Sequence, residues 1–282
     1  VTIPSKKVMV FTNGNGLTGS GTVSGGIIES GLHNNIFGAN LNVNPDGTST
    51  EKISAKWFGA IGDNTVDDQP AIQRAINCVI RNNTKLFKVY IPSGDYRCDS
   101  PIFLENFNGT SYQFHTVWLE GETPWWPKSS TGTRLLFSFK DRFGIGVQSG
   151  KGTIIRNLYL RGGFTPPSAT GYDWYKLTQD EYTDATCRDT TYSPYSGIVI
   201  DPFSRTGSVP SDGGYPGMSS YYTKDSTGSN GGTTGIYIED VSISNFIIGI
   251  ICSPNGQTRN AEQVRYYKTQ FASVKICFYN ST

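Results

Sequence analysis

Ile155-Arg156-Asn157-Leu158-Tyr159-Leu160-Arg161 matches Ile238-Glu239-Asp240-Val241-Ser242-Ile243-Ser244 in residue type, position by position. Each run reads apolar, two polar, apolar, polar, apolar: two short strands with a bend at Asn157 or Asp240. Each follows a Gly-rich turn, Gly150-Lys151-Gly152 in one case and Gly231-Gly232 in the other. A second correspondence pairs Ile248–Cys252 with Val274–Phe278, twenty-six residues later. An even offset keeps every inward side chain inward, because strand side chains alternate with period two. A repeat of about two dozen residues, built from short strands and polar bends, is one coil of a β-solenoid. The alternative is a β-sandwich in which the similarity is coincidental.

Composition agrees with a β-rich chain full of turns. Among 282 residues there are 33 glycines, 13% aromatics and only 17% charged residues. Large apolar residues are too many for a disordered chain. Net charge is +1 with scattered Lys and Arg, which argues against nucleic acid as a partner. The longest apolar stretch, near Phe246–Cys252, falls far short of the ~20 residues that span a bilayer. Membrane insertion is therefore not expected. Cys78, Cys98, Cys187, Cys252 and Cys277 show neither a paired framework nor C-x-x-C spacing, and are read as buried free thiols. Folding in a reducing compartment is compatible with that.

Residues 1–54 form an N-terminal region of short strands between glycine turns, such as Lys7–Phe11 followed by Asn13-Gly14-Asn15-Gly16. Strands this short must stack on something. One helix is expected over 69–81, because Ile72, Ala75, Ile76, Val79 and Ile80 share a face. Asp67 and Asp68 precede it and Pro70 lies in its first turn, both helix-start signals. Residues 55–98 form the opening of the coil with this helix, and 99–282 carry the rungs. Residues 163–234 interrupt the rungs as a long insertion rich in Gly, Ser, Thr and Tyr, with Ile198-Val199-Ile200 as a strand inside it. The apolar stripe Val274, Ile276, Phe278 close to the last residue leads us to expect further coils beyond it, and Val1 is not a natural start.

Trp57-Phe58-Gly59-Ala60-Ile61-Gly62-Asp63-Asn64-Thr65-Val66-Asp67-Asp68-Gln69-Pro70-Ala71-Ile72-Gln73-Arg74-Ala75-Ile76 resembles the opening segment of pectate-lyase-superfamily β-helices. That segment runs as a glycine–aspartate turn, paired aspartates, and a helix with an Ala-Ile-Gln core. Val89-Tyr90-Ile91-Pro92-Ser93-Gly94-Asp95-Tyr96 is similar to the next element of those proteins, and Gly132-Thr133-Arg134-Leu135-Leu136-Phe137 to an early rung. The resemblance implies an all-β, right-handed parallel β-helix with an N-terminal capping helix. Two groups in that superfamily place Gly-rich coils before this segment: bacteriophage tail spikes or tail appendages, and secreted polysaccharide-degrading enzymes.

Candidate chemistry is spread along the chain. Asp63, Asp67 and Asp68 are read as a structural cap; calcium is conceivable there, because it takes several oxygen ligands, but no cofactor or metal is expected. A polygalacturonase-like pattern is missing, since neither His33 nor His115 has a Gly-His-Gly context. Arg156, Arg161, Glu239 and Asp240 stand at equivalent bends and would form either one rung face or solvated polar positions. Weak catalytic candidates are Asp173, Asp201, Glu239 and Asp240, with Glu120, Glu122, Asp180 and Glu181 as further carboxylates that would serve glycoside hydrolysis if paired across a groove. Trp125, Trp126, Trp174, Tyr221 and Tyr222 are candidates for sugar stacking or for loop packing.

The leading expectation is a bacteriophage tail-spike or tail-appendage subunit: a homotrimer in the virion tail, beside other tail proteins, that binds bacterial surface polysaccharide, with or without depolymerising it. A secreted polysaccharide lyase or glycoside hydrolase is the first alternative. A purely adhesive or structural β-helix is the second.

Overall fold

The computed structural model describes residues 1–80, 86–107, 112–123, 132–139, 143–163, 196–200, 233–252, 263–274 and 276–280. Five short strands come first: β1 (Val8–Phe11), β2 (Gly21–Ser24), β3 (Ile27–Ser30), β4 (Leu41–Asn44) and β5 (Gly47–Thr48). They stack in parallel. Val8 pairs with Ile27 and Gly21 with Leu41, so this region winds in narrow coils of 19 or 20 residues. Val23, Ile28, Leu41 and Val43 fill the inside.

A strand β6 (Ile53–Ser54), a short 3-10 turn (Ala55–Phe58), β7 (Asp63–Asp67) and helix α1 (Gln69–Ile80) follow. Wider rungs then begin with β8 (Lys88–Ile91), β9 (Gly94–Cys98) and β10 (Ile102–Leu104). A small antiparallel pair, β11 (Asn106–Phe107) and β12 (Tyr112–Gln113), leads into β13 (Trp118–Gly121), β14 (Thr133–Phe137) and β15 (Ile145–Val147). The later rungs are β16 (Ile154–Arg161), β17 (Ser196–Ile200), β18 (Tyr237–Ser244), β19 (Ile248–Cys252), β20 (Arg265–Tyr267), β21 (Gln270–Ala272) and β22 (Ile276–Asn280).

Parallel pairing groups these strands into three faces. The first holds β6, β8, β13, the front half of β16, the front half of β18, and β20. The second holds β7, β9, β14, the back halves of β16 and β18, and β21. The third holds β10, β15, β17, β19 and β22. Among the described residues the strands thus form a curled, parallel, solenoid-like sheet.

Registered partners make the core. Ile53, Val89, Leu119, Ile155 and Ile238 form one buried column, and Tyr96, Leu135, Leu160 and Ile243 a second. Ile102, Ile145, Ile198 and Ile250 form a third. Each rung covers the apolar side chains of the one before it, at roughly 25 cal/mol per Å² of apolar surface removed from water.

The expected repeat is also the observed register: Ile155 pairs with Ile238, Leu158 with Val241 and Leu160 with Ile243. The bends lie at Asn157 (φ 57°) and Asp240 (φ 49°), both left-handed. Asn and Asp tolerate that conformation better than other side chains. Asn157→Val should therefore cost about 1–2 kcal/mol, whereas Asn157→Gly should leave stability nearly unchanged. Urea unfolding of the two variants measures the difference.

Two expectations need correction. Ile248 pairs with Ile276 and Ile250 with Phe278, an offset of 28 residues, not twenty-six. Cys78, Cys98 and Cys252 are buried free thiols, but Cys277 is exposed. Helix α1 buries Ile72, Ala75, Ile76 and Val79. It touches β6, β8 and β10 of the wide rungs and also β4 of the narrow coils, so it lies at the junction of the two coil types.

Candidate functional site

Strand alternation sends one set of side chains outward on each face. On the first face the outward positions form two registered rows. One row is Lys88, Trp118, Ile154, Tyr237 and Arg265; the other is Tyr90, Glu120, Arg156, Glu239 and Tyr267. Successive residues of a row are about 4.8 Å apart, the strand spacing of any sheet.

Charges and rings interlock along these rows. Glu120 lies between Lys52 (3.5 Å) and Arg156 (3.2 Å), with its side chain only 12% exposed. Lys52 stands over the Tyr90 ring at 4.8 Å, while Lys88 and Arg156 stand over Trp118 at 5.3 and 5.8 Å. Phe87 meets Trp118 edge-on, 4.7 Å between ring centres. Further along, Arg265 covers Tyr237 (5.4 Å), and Lys268 covers Tyr267 (5.0 Å) while lying 3.9 Å from Asp240. Cations over ring faces hold those rings in fixed orientation. Tyr237 and Tyr267 nonetheless stay exposed, at 38% and 59%. The result is a fixed row of aromatic and charged groups.

Glu120 and Glu239 occupy the same row with Arg156 between them. Their Cα atoms are thus two strand spacings apart, about 9.5 Å. Inverting glycoside hydrolysis uses carboxyls about 6.5–9.5 Å apart, retaining hydrolysis about 5–5.5 Å.

The second face has a different character. Arg134 pairs in a forked fashion with Asp95, and Arg97 pairs with Asp99 at 2.8 Å. The Ser138 hydroxyl donates to the same Asp99 carboxylate at 2.6 Å. The Arg97 hydrogen bond, followed by that of Ser138, holds the Asp99 carboxyl below its ordinary range. These charges are mutually satisfied. Arg161 belongs to this second face, beyond the bend, so Arg156, Arg161, Glu239 and Asp240 do not share one face.

The three aspartates of the opening segment serve backbone amides. Asp67 accepts from the Gln69 N–H at the start of α1 (3.1 Å) and from Asp99 N–H (3.0 Å). Asp68 supplies the carbonyl for the first turn of the helix (Ile72 N–H, 3.1 Å), but its carboxylate turns back to the N–H groups of Ile61 (2.6 Å) and Gly62 (3.0 Å). Burial raises its pKa against the pull of those two amides. Asp63 accepts from the amide and hydroxyl of Thr65, and that hydroxyl bond is the main reason its pKa is lowered. All three carboxylates are committed to turn and helix-end geometry. Among the described residues no cluster of three His, Cys, Asp or Glu is placed to hold a metal ion.

Of the other sequence candidates, Glu239 lies on the first face and Asp240 at its bend. Asp173, Asp201, Trp125, Trp126, Trp174, Tyr221 and Tyr222 lie outside the described residues. Trp118, Tyr237, Lys52 and Arg156 are not among the sugar contacts expected from the sequence. For Trp118 the sequence carries a signal in Val117-Trp118-Leu119-Glu120, whose alternation puts Trp118 and Glu120 outward together.

Residues 52–129 match the family model described as rhamnogalacturonase A/epimerase, pectate lyase-like. The matched stretch contains Lys52, Tyr90, Trp118 and Glu120. No curated protein and no solved structure matches the chain. Among the described residues no helix is long and apolar enough to cross a membrane.

Proposed function

We propose that this chain is a polysaccharide-acting β-helix of the pectate-lyase-like class, a glycoside hydrolase or lyase that lays an extended glycan along its first face. The observation that carries this reading is the pair of adjacent rows, Trp118 with Tyr237 and Glu120 with Arg156 and Glu239, on consecutive parallel rungs. Flat rings with polar neighbours suit pyranose faces and their hydroxyls. A row that repeats with every rung suits a polymer better than a small molecule. The family match over 52–129 supports the same class.

We read the coil as right-handed, because strand–crossover–parallel strand connections in one sheet are right-handed in about 98% of cases. Helix α1 then closes the end of the wide rungs. For catalysis Glu120 and Glu239, two rungs apart in one row, are the carboxyl pair that would serve hydrolysis, one protonating the leaving oxygen and the other activating water or attacking the sugar.

The test is incubation of the full chain with a panel of neutral and uronic-acid polysaccharides. Release of reducing ends without unsaturated sugar supports hydrolysis; unsaturated ends support β-elimination. Trp118→Ala should weaken glycan binding by about tenfold, and Glu239→Gln should remove turnover while binding persists. A chain that binds no polysaccharide of the panel defeats the reading.

The narrow coils β1–β5 ahead of α1 favour a second reading, a trimeric bacteriophage tail spike that binds host surface polysaccharide beside other tail proteins. Sedimentation separates the two: a trimer supports the tail spike, a monomer the secreted enzyme.

A further inference from the structure

The narrow coils and α1 enclose a recess of about 460 Å³, separate from the first face, lined by Thr22, Asn40, Asn42, Asn44, Arg74 and Asn77 among others. Its floor follows from register. Thr22 pairs with Asn42 and Ser24 with Asn44. Leu41 and Val43 turn inward and are buried, so the alternate residues Asn42 and Asn44 must face outward. The opposite wall is α1, which contributes Arg74 and Asn77.

The two walls are fixed against each other. Arg74 donates to the carbonyl oxygens of Phe58 (3.1 Å) and Gly38 (2.5 Å), and its guanidinium lies over the Phe58 ring at 5.1 Å. That commitment leaves the guanidinium as a clamp. Four amides line the remaining space. Asn77 accepts from the Gln73 side chain at 3.2 Å, which leaves its NH₂ group to donate. Among the described residues the side chains of Asn40, Asn42 and Asn44 make no hydrogen bond.

The chemistry of these groups selects the ligand. An amide offers donors and an acceptor on one planar group, which matches adjacent hydroxyls on a ring. Among the described residues no carboxylate lines the recess, which disfavours a cation, and Arg74 already donates to two backbone carbonyls, so the amides are the donors left for a ligand. An apolar ligand would leave the amides unpaired, which is costly. A volume of this size accepts one or two pyranose rings. We propose that this recess binds a neutral saccharide, as a second glycan site outside the first face. This inference goes beyond the polysaccharide-acting reading and does not require catalysis.

The experiment titrates the full chain with maltotriose, cellotriose, mannotriose and, as a charged control, trigalacturonate, followed by calorimetry and saturation-transfer NMR. At least one neutral trisaccharide should bind below about 10 mM. The double variant Asn42→Ala/Asn44→Ala, at two exposed strand positions, should weaken it about tenfold, the loss of two modest hydrogen bonds. Asn77→Ser should weaken it as well, and Trp118→Ala should leave it unchanged. Loss of polysaccharide binding in Trp118→Ala with trisaccharide binding intact keeps the two sites distinct. The inference is overturned if no neutral trisaccharide binds, if binding survives the double variant, or if trigalacturonate binds more tightly.

Discussion

Replacing Gly121 by alanine should lower the unfolding free energy by about 3 kcal/mol, the upper end of what overpacking costs. Gly121 ends β13, where the chain leaves the first face, and it is buried. A Cβ there would lie 2.2 Å from the carbonyl oxygen of Asn157, 2.8 Å from Leu158 Cδ2 and 2.8 Å from Thr133 Cβ. The nearest of these is backbone, in the bend of the next rung, and cannot rotate aside. Thr133 is equally fixed, since its hydroxyl contacts the Ile91 carbonyl at 2.9 Å and accepts the Glu122 N–H at 2.9 Å. Accommodating the methyl group therefore means separating two rungs. Gly47→Ala is the control, because nothing lies within 4 Å of a Cβ built there. Thermal unfolding should show Gly121→Ala melting about 6–12 °C below the parent and Gly47→Ala close to it. Equal melting temperatures would mean that the rungs are not stacked this closely.

The same bend explains why much of the fold was legible in the sequence. Two strands meeting at one left-handed residue need Asn, Asp or Gly there, with apolar residues on a fixed alternation either side. Ile155–Arg161 and Ile238–Ser244 satisfy that demand twice, and their correspondence is the register. The last rung lies two residues from where the pattern puts it, for a related reason. Val274 and Ile276 are both apolar and two apart, so alternation alone accepts either as the partner of Ile248. An even error preserves which side faces inward and hides itself.

The first face was harder to read because its rows are assembled across unequal spacings. Lys88, Trp118, Ile154 and Tyr237 become neighbours only once the register is known, and residues 163–234 intervene between the last two. No local pattern announces Arg156 beside Glu120. Asp68 shows the opposite problem: an aspartate ahead of a helix looks like a side-chain cap. Which amides its carboxylate chooses depends on the turn at Ile61-Gly62, which the helix pattern does not encode.

Acid should destabilise the coil through His115, and His115→Leu should remove that sensitivity. His115 is 7% exposed, and burial alone drops its pKa from 6.5 to about 4. Neither ring nitrogen has a hydrogen-bond partner among the described residues. Its backbone is tied into the rung, with its N–H to the Ser149 carbonyl (3.4 Å) and its carbonyl accepting from Lys151 N–H (2.8 Å). The ring therefore cannot leave without opening the coil. Between pH 6.5 and 4 the unfolded chain takes up a proton that the folded chain refuses. The stabilisation is present above pH 6.5 and is lost as pH falls toward the folded-state pKa. A depression of this size corresponds to about 3 kcal/mol across that window. Urea unfolding at pH 7 and pH 4 should show the parent losing about that much more stability than His115→Leu. Parallel losses in the two proteins would place the acid sensitivity on other groups, and the imidazole would then have a proton acceptor in the coil.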